Sequence, residues 1–196
     1  RIIFNGNNYS EEWVREANRR GLLNLKSSVD ALQLFSLEKN IRLFEKHGVL
    51  TEAELRARQE IMLEICYKTI NIEALTMLDI AKKQIVPAVI EYMSDISQEI
   101  NAKRSVNEKL GCKLECHLLE NLSCLSDELD SKITELEAAV DAARKETDAI
   151  ETAKVYHDSV FEKMQGLRNV ADELEMITKK SYWPLPSYGD ILYSVK

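Results

Sequence analysis

LECHLLENLSCLSDELDSKITELEAAVDAA, residues 114–143, is the stretch whose reading decides the fold. Leu118, Leu122, Leu125, Leu129, Ile133, Leu136, Val140 and Ala143 recur at spacings of 4, 3, 4, 4, 3, 4 and 3. On a helix of about 3.6 residues per turn this draws one narrow apolar seam, coiled-coil-like, with a single four-residue stutter. The spacing predicts a helix over about 114–149. The next segment repeats the pattern, with Val160, Met164, Leu167, Ala171 and Leu174 at 4, 3, 4 and 3, and predicts a helix over about 151–178. A short link near Thr147–Thr152 makes the two an antiparallel hairpin, because each stripe needs a partner to bury it.

Upstream, Thr51-Glu52-Ala53-Glu54 has the form of a capping box. The threonine hydroxyl accepts from the amide three residues on, and Glu54 reaches back. No stop signal follows until Pro87, which removes one helical hydrogen bond and crowds the preceding turn. A kink is expected there, with helix resuming to about Lys103. Leu78, Ile85, Val89, Tyr92, Ile96 and Ile100 form a third apolar stripe, and 101–111 holds a turn.

Nearer the start, Ile2-Ile3-Phe4 runs into Asn5-Gly6-Asn7-Asn8, a turn signal. Ser10 is an N-cap, with Glu11 and Glu12 in the first turn and Gly21 as the left-handed stop of a helix ending near Arg20. Leu22–Ser28 reads as loop, and Ser28 or Asp30 as the cap of a short turn. Ser36 starts another helix to about Lys46, which Gly48 ends. The expected fold is all-α. It is an elongated antiparallel helical bundle with a long coiled-coil-like hairpin, short N-terminal helices and an extended C-terminal aromatic tail. Residues 1–50 form the linker and short helices, 51–180 the bundle and 181–196 the tail.

The tail concentrates unusual residues: two of three prolines, one of two tryptophans and three of seven tyrosines lie in 182–196. Pro184 and Pro186 fix φ and restrict the residue before each, so the segment reads as extended or turned. Aromatics on a rigid tail call for a dry surface, within the chain or on a neighbouring subunit. Tyr182, Trp183 and Tyr188 are the interface candidates.

Composition narrows the function classes. Charged residues make up 30% and the formal net charge is −7, which opposes a phosphate-backbone partner; no nucleic acid is expected. Arg15, Arg19 and Arg20 are the one local basic cluster, and Glu11, Glu12 and Glu16 offset it. No apolar run approaches the roughly 20 residues of a membrane span, so no membrane partner is expected. Cys66, Cys112, Cys116 and Cys124 sit in helical patterns, which suits free thiols in a reducing cytoplasm. A start at Arg1 instead of methionine reads as a piece of something longer.

Sites of chemistry are sparse. Cys112, Cys116 and His117 have metal-ligand residue types, yet on a helix His117 points about 100° away from Cys116. Packed cysteines are the plainer reading. His47 precedes Gly48 at a helix end, where a cation suits the dipole, and His157 lies beside Asp158 on a charged helix. Gly6 and its asparagines could cradle an anion, although Asn-Gly is first a turn signal. Adjacent carboxylates such as Asp127/Glu128 and Asp172/Glu173 do not face each other on a helix. No catalytic, cofactor-binding or metal residue is assigned.

Five ordered pieces carry a family resemblance. They are Phe4-Asn5-Gly6-Asn7-Asn8-Tyr9-Ser10-Glu11-Glu12-Trp13, Arg20-Gly21-Leu22-Leu23-Asn24-Leu25, Thr51-Glu52-Ala53-Glu54-Leu55, Lys68-Thr69-Ile70-Asn71-Ile72-Glu73-Ala74, and Asp172-Glu173-Leu174-Glu175 with Trp183-Pro184-Leu185-Pro186-Ser187-Tyr188-Gly189-Asp190. Together they resemble the C-terminal portion of the type III glutamine synthetases, over nearly the whole chain. The resemblance implies a parent enzyme that joins ammonia to glutamate with ATP and Mg²⁺ or Mn²⁺ through a γ-glutamyl phosphate, as a double-ring dodecamer. The metal-ligand glutamates and catalytic arginines of that family match no position here, so the piece alone is expected to be inactive. Its expected partners are its own catalytic domain and neighbouring subunits of a cytoplasmic homo-oligomer. The alternative is a free-standing helical adaptor or coiled-coil interaction module with no enzymatic role.

Overall fold

The structure is a computed structural model and describes residues 3–193. Among these, every regular element is helical: α1 (Glu11–Arg19), α2 (Ser28–Phe35), α3 (Glu38–Lys46), α4 (Glu52–Ile80), α5 (Val86–Val106), α6 (Lys113–Ala143), α7 (Ala149–Val155), α8 (Phe161–Ile177) and α9 (Tyr188–Leu192). Two π turns, Ala81–Ile85 and Tyr156–Val160, join α4 to α5 and α7 to α8. The chain divides into two compact units, Arg1–Cys66 and Tyr67–Lys196, the division falling inside α4.

In the first unit, helix ends follow glycine. Gly21 has φ 74°; its N–H bonds Asn18 O at 3.0 Å and that of Leu22 bonds Ala17 O at 3.0 Å. Gly48, at φ 63°, ends α3 in the same way, Val49 N–H reaching Phe44 O at 3.0 Å. Both are left-handed stops that a Cβ would strain. Ser10 stands at the N-cap of α1, but its hydroxyl donates to Asn7 O at 2.7 Å instead of capping the helix. The Thr51 box forms as read: Glu54 N–H to Thr51 Oγ1 at 3.3 Å, and Thr51 N–H to Glu54 Oε2 at 2.8 Å.

Between Leu22 and Lys46 the structure differs from the sequence expectation. Ser27, not Ser28 or Asp30, caps α2, accepting from Asp30 N–H at 3.0 Å. Ser36 closes α2 instead of opening the next helix, which starts at Glu38 after Leu37; the Ser36 hydroxyl donates to Gln59 Oε1 at 2.6 Å. Gln59 is buried, and its amide also donates to Leu32 O at 2.6 Å, so a buried polar group has both ends satisfied.

In the second unit, α5, α6 and α8 bury the three stripes. Leu122, Leu129, Ile133, Leu136, Val140 and Ala143 of α6 are buried, as are Val160, Met164, Leu167 and Leu174 of the return strand of helix, and Leu78, Ile85, Val89, Ile96 and Ile100 of the third stripe. Cross-pairs give the direction. Lys163 Nζ meets Glu135 at 3.1 Å, and a Cβ on Gly166 would lie 3.6 Å from Lys132; the rising numbers meet falling ones, so α6 and α8 are antiparallel. Lys82–Glu137 and Lys103–Glu115 do the same for α6 and the continuous run of the π turn Ala81–Ile85 and α5.

One helix end is corrected here, and two long helices each carry one wider turn. At Pro87 the helix continues to Val106, as expected; the proline sits in the first turn of α5, and the π turn Ala81–Ile85 lies just before it. α6 stops at Ala143, short of 149, because Asp148 caps α7 by accepting from the N–H groups of Ile150 and Glu151, each at 3.0 Å. The last long helix, expected over about 151–178, runs without a break from 149 to 177 as α7, a π turn and α8. There Tyr156 is buried; its hydroxyl donates to Asn71 Oδ1 at 3.0 Å and its ring stacks on Tyr67 at 5.9 Å. Desolvation pushes the Tyr156 phenol above its ordinary pKa.

Candidate interaction site

The C-terminal segment begins where α8 ends, at Thr178, whose backbone is extended. A turn follows, Tyr182 N–H bonding Lys179 O at 2.8 Å. It delivers Tyr182 and Trp183 to the second unit's own surface. The Tyr182 ring lies 5.4 Å from Tyr92 of α5, its hydroxyl donates to Asp95, and Lys179 Nζ sits 5.6 Å over the ring. The Asp95 carboxylate raises the phenol's pKa, because ionising Tyr182 would set two anions side by side. Trp183 is half-buried and packs against the core of the second unit, but its indole N–H is buried without an acceptor. Two of the three aromatic candidates are thus docked within the chain.

Tyr188 is placed otherwise. Residues 181–196 were expected to be extended, yet Tyr188–Leu192 is a short helix, α9. Ser187 Oγ accepts from Asp190 N–H, and Asp190 accepts from Ser187 N–H at 2.9 Å, a reciprocal box. The prolines end before this box, so no proline after Pro186 opposes helix. The signal was legible as Ser187-x-x-Asp190. The hydroxyl of Ser187, its amide and then Lys180 (Nζ at 3.0 Å) hold the Asp190 carboxyl down at about 2. Tyr188 itself is 84% exposed, and Ile191, Leu192 and Tyr193 of the same turn are exposed too. The tail residues beyond Tyr193, like Ile2 of the first apolar run, lie outside the described residues.

The remaining candidates are dispersed. Cys112 is buried at the start of α6, its thiol 3.7 Å from Leu110 O; Cys116 is half-buried and packs on the core, while His117 meets Asn121 at 3.2 Å. Cys124 is exposed and Cys66 half-buried, and all four cysteines are free. His47 is the C-cap of α3, and His157 lies 2.7 Å from Asp158 and stacks on Phe161 at 6.4 Å. The Phe4 ring stands where a Cβ on Gly6 would come within 2.6 Å of it, so that glycine admits an aromatic that packs tilted against Trp13, ring centroids 4.9 Å apart. Arg19 and Arg20 both bind Glu16 at 2.6 Å, and Arg20 also lies over Trp13 at 5.8 Å. Hydrogen bonds from Arg19, then Arg20, hold Glu16 at about 2. Arg19 and Arg20 of the basic cluster are thus committed to Glu16.

These residues do not fit a divalent metal. Among the described residues no three His, Cys, Asp or Glu side chains converge. The best-held carboxylates already have cationic or capping partners: Glu135 is shared by Lys132 and Lys163, and Glu115 is bound by Lys103. Among the described residues no helix is long and apolar enough to cross a membrane.

What is left is a class of protein: an all-helical packing domain whose ordered polar groups fasten helices to one another and whose aromatic terminus is half docked and half outward. The family model described as glutamine synthetase C-terminal domain matches residues 1–104, and the chain belongs to that family. It is 38% identical over 196 residues to a glutamine synthetase of Butyrivibrio fibrisolvens, covering all of this chain and 28% of that protein. It is 32% identical to the type-3 glutamine synthetase of Dictyostelium discoideum (98% of this chain, 27% of that protein). A glutamine synthetase of Bacteroides fragilis is 26% identical over the same shares. The chain therefore spans little more than a quarter of the length of these relatives.

Proposed function

We propose that this chain is the non-catalytic helical domain of a type III glutamine synthetase, whose parent enzyme ligates ammonia to glutamate at the expense of ATP. Family membership at a quarter of the relatives' length carries the reading. ATP and Mg²⁺ or Mn²⁺ would be held by residues of the parent outside this chain. The domain packs against its own catalytic part and takes part in subunit contacts of a homo-oligomer, a dodecamer by family resemblance. Outward Tyr188 is the residue best placed for a subunit contact, and Tyr182 and Trp183 fix the segment that presents it. Four free thiols are in keeping with a reducing cytoplasm.

The decisive assay pairs activity with sizing. The full-length parent should form glutamine from glutamate, ammonia and ATP, and the 196 residues alone should form none; turnover by the isolated chain contradicts the reading. In the full-length enzyme, Trp183→Ala should lower the melting temperature and the assembled fraction with the KM for ATP unchanged. A selective rise in that KM, with the oligomer intact, would reassign Trp183 to the active site.

A further inference from the structure

The first unit buries too little of its own apolar surface. Among its described residues the buried apolar side chains are Ala17, Val29, Ile41, Leu55 and Leu63, against twenty-three in the second unit. A unit of this size normally needs a fuller core, a metal, disulfides or a partner to hold its fold. Its large apolar residues instead face outward from several elements: Leu23 (67% exposed) in the loop after α1, Val49 (60%) after α3, and Ile61 (54%) and Ile65 (60%) on α4. A shallow groove on α4, lined by Glu54, Ala57, Arg58, Ile61 and Met62, adds to them. Apolar residues drawn from loop and helix alike resemble a domain core cut open, the mark of a permanent interface.

Charge points the same way. Residues 1–66 carry ten Lys/Arg and ten Asp/Glu, whereas 67–196 carry sixteen against twenty-three. The first unit is neutral and the whole acidic excess lies in the second, so covering the first strands no net charge away from water. The relatives supply the occupant, since more than seventy percent of each lies outside the matched region.

Building on the reading of this chain as one domain of a longer synthetase, we infer that the first unit's uncovered apolar surface is the dock for the parent polypeptide outside these 196 residues. It is not the surface on which a second copy of this domain pairs. The full-length parent, purified with the photo-crosslinker benzoylphenylalanine at position 23 or 61, tests it by peptide mapping after irradiation, with position 176 as a control; Met176 is exposed on the second unit. Cross-links from 23 and 61 to parent sequence outside residues 1–196 are expected, with few or none from 176. Cross-links confined to residues 1–196 of another protomer would give the surface to a second copy and overturn the proposal. The absence of protein cross-links at both positions, as for open solvent, would overturn it equally. Ligase activity of the unsubstituted parent is measured alongside: its absence removes the enzymatic reading, while the cross-link map still reports what covers the unit.

Discussion

Leu129 is 1% exposed at the centre of the α6 seam, surrounded by the packed stripes of the second unit. A carboxylate there has no partner and must be desolvated. Leu129→Asp should cost at least about 3 kcal/mol, lowering the urea midpoint or leaving no folded baseline. An unchanged midpoint would remove Leu129 from the core. Glu16 carries a pH dependence of defined sign. Its folded pKa is lowered from 4.5 to about 2, chiefly by Arg19 and then Arg20. The stabilisation is therefore complete above about 4.5 and disappears as pH falls toward 2, where the folded state too is protonated. Glu16→Gln should lower stability at neutral pH and flatten the acid limb, the two proteins converging near the lower pKa. Parallel curves over that range would show that the Arg19–Glu16–Arg20 cluster contributes nothing to folding; its partial exposure keeps the expected effect small.

At the scale of elements, short helices here depend on caps. α9 is five residues long and cannot nucleate by itself, so its box is the main local support. Ser187→Ala should remove about 1 kcal/mol from that turn and raise amide hydrogen exchange at Asp190 and Ile191, with the Tyr182 docking unaffected. Unaltered exchange would mean that α9 is held by something other than its cap. The long helices behaved differently from the short ones when read from sequence. Seam residues 118–143 and 160–174 marked their elements because a periodic stripe many turns long cannot arise from loop. The Thr51 box and the glycine stops at 21 and 48 were equally legible, since each acts through its own backbone. The π turns at Ala81–Ile85 and Tyr156–Val160 were not: one extra residue in a turn leaves the apolar spacing almost unchanged, and the choice is made by packing.

For the whole molecule, the uneven distribution of buried side chains predicts uneven stability. In the 196-residue chain, limited proteolysis should cut first in the loop at Leu22–Lys26 and leave a resistant fragment containing α5, α6 and α8, because opening energies follow local core content. First cuts within α6 would contradict the core assignment. By itself the amino-acid order determined the helical class, the three stripes that pair in the second unit, several helix ends and the family, since periodicity, caps and motifs act locally and survive without neighbours. Where the aromatic segment lands was settled only by the folded chain. Tyr182 against Tyr92 and Asp95, Trp183 on the core and Tyr188 in solvent depend on residues about ninety positions apart meeting in space, and no local spacing encodes such a meeting.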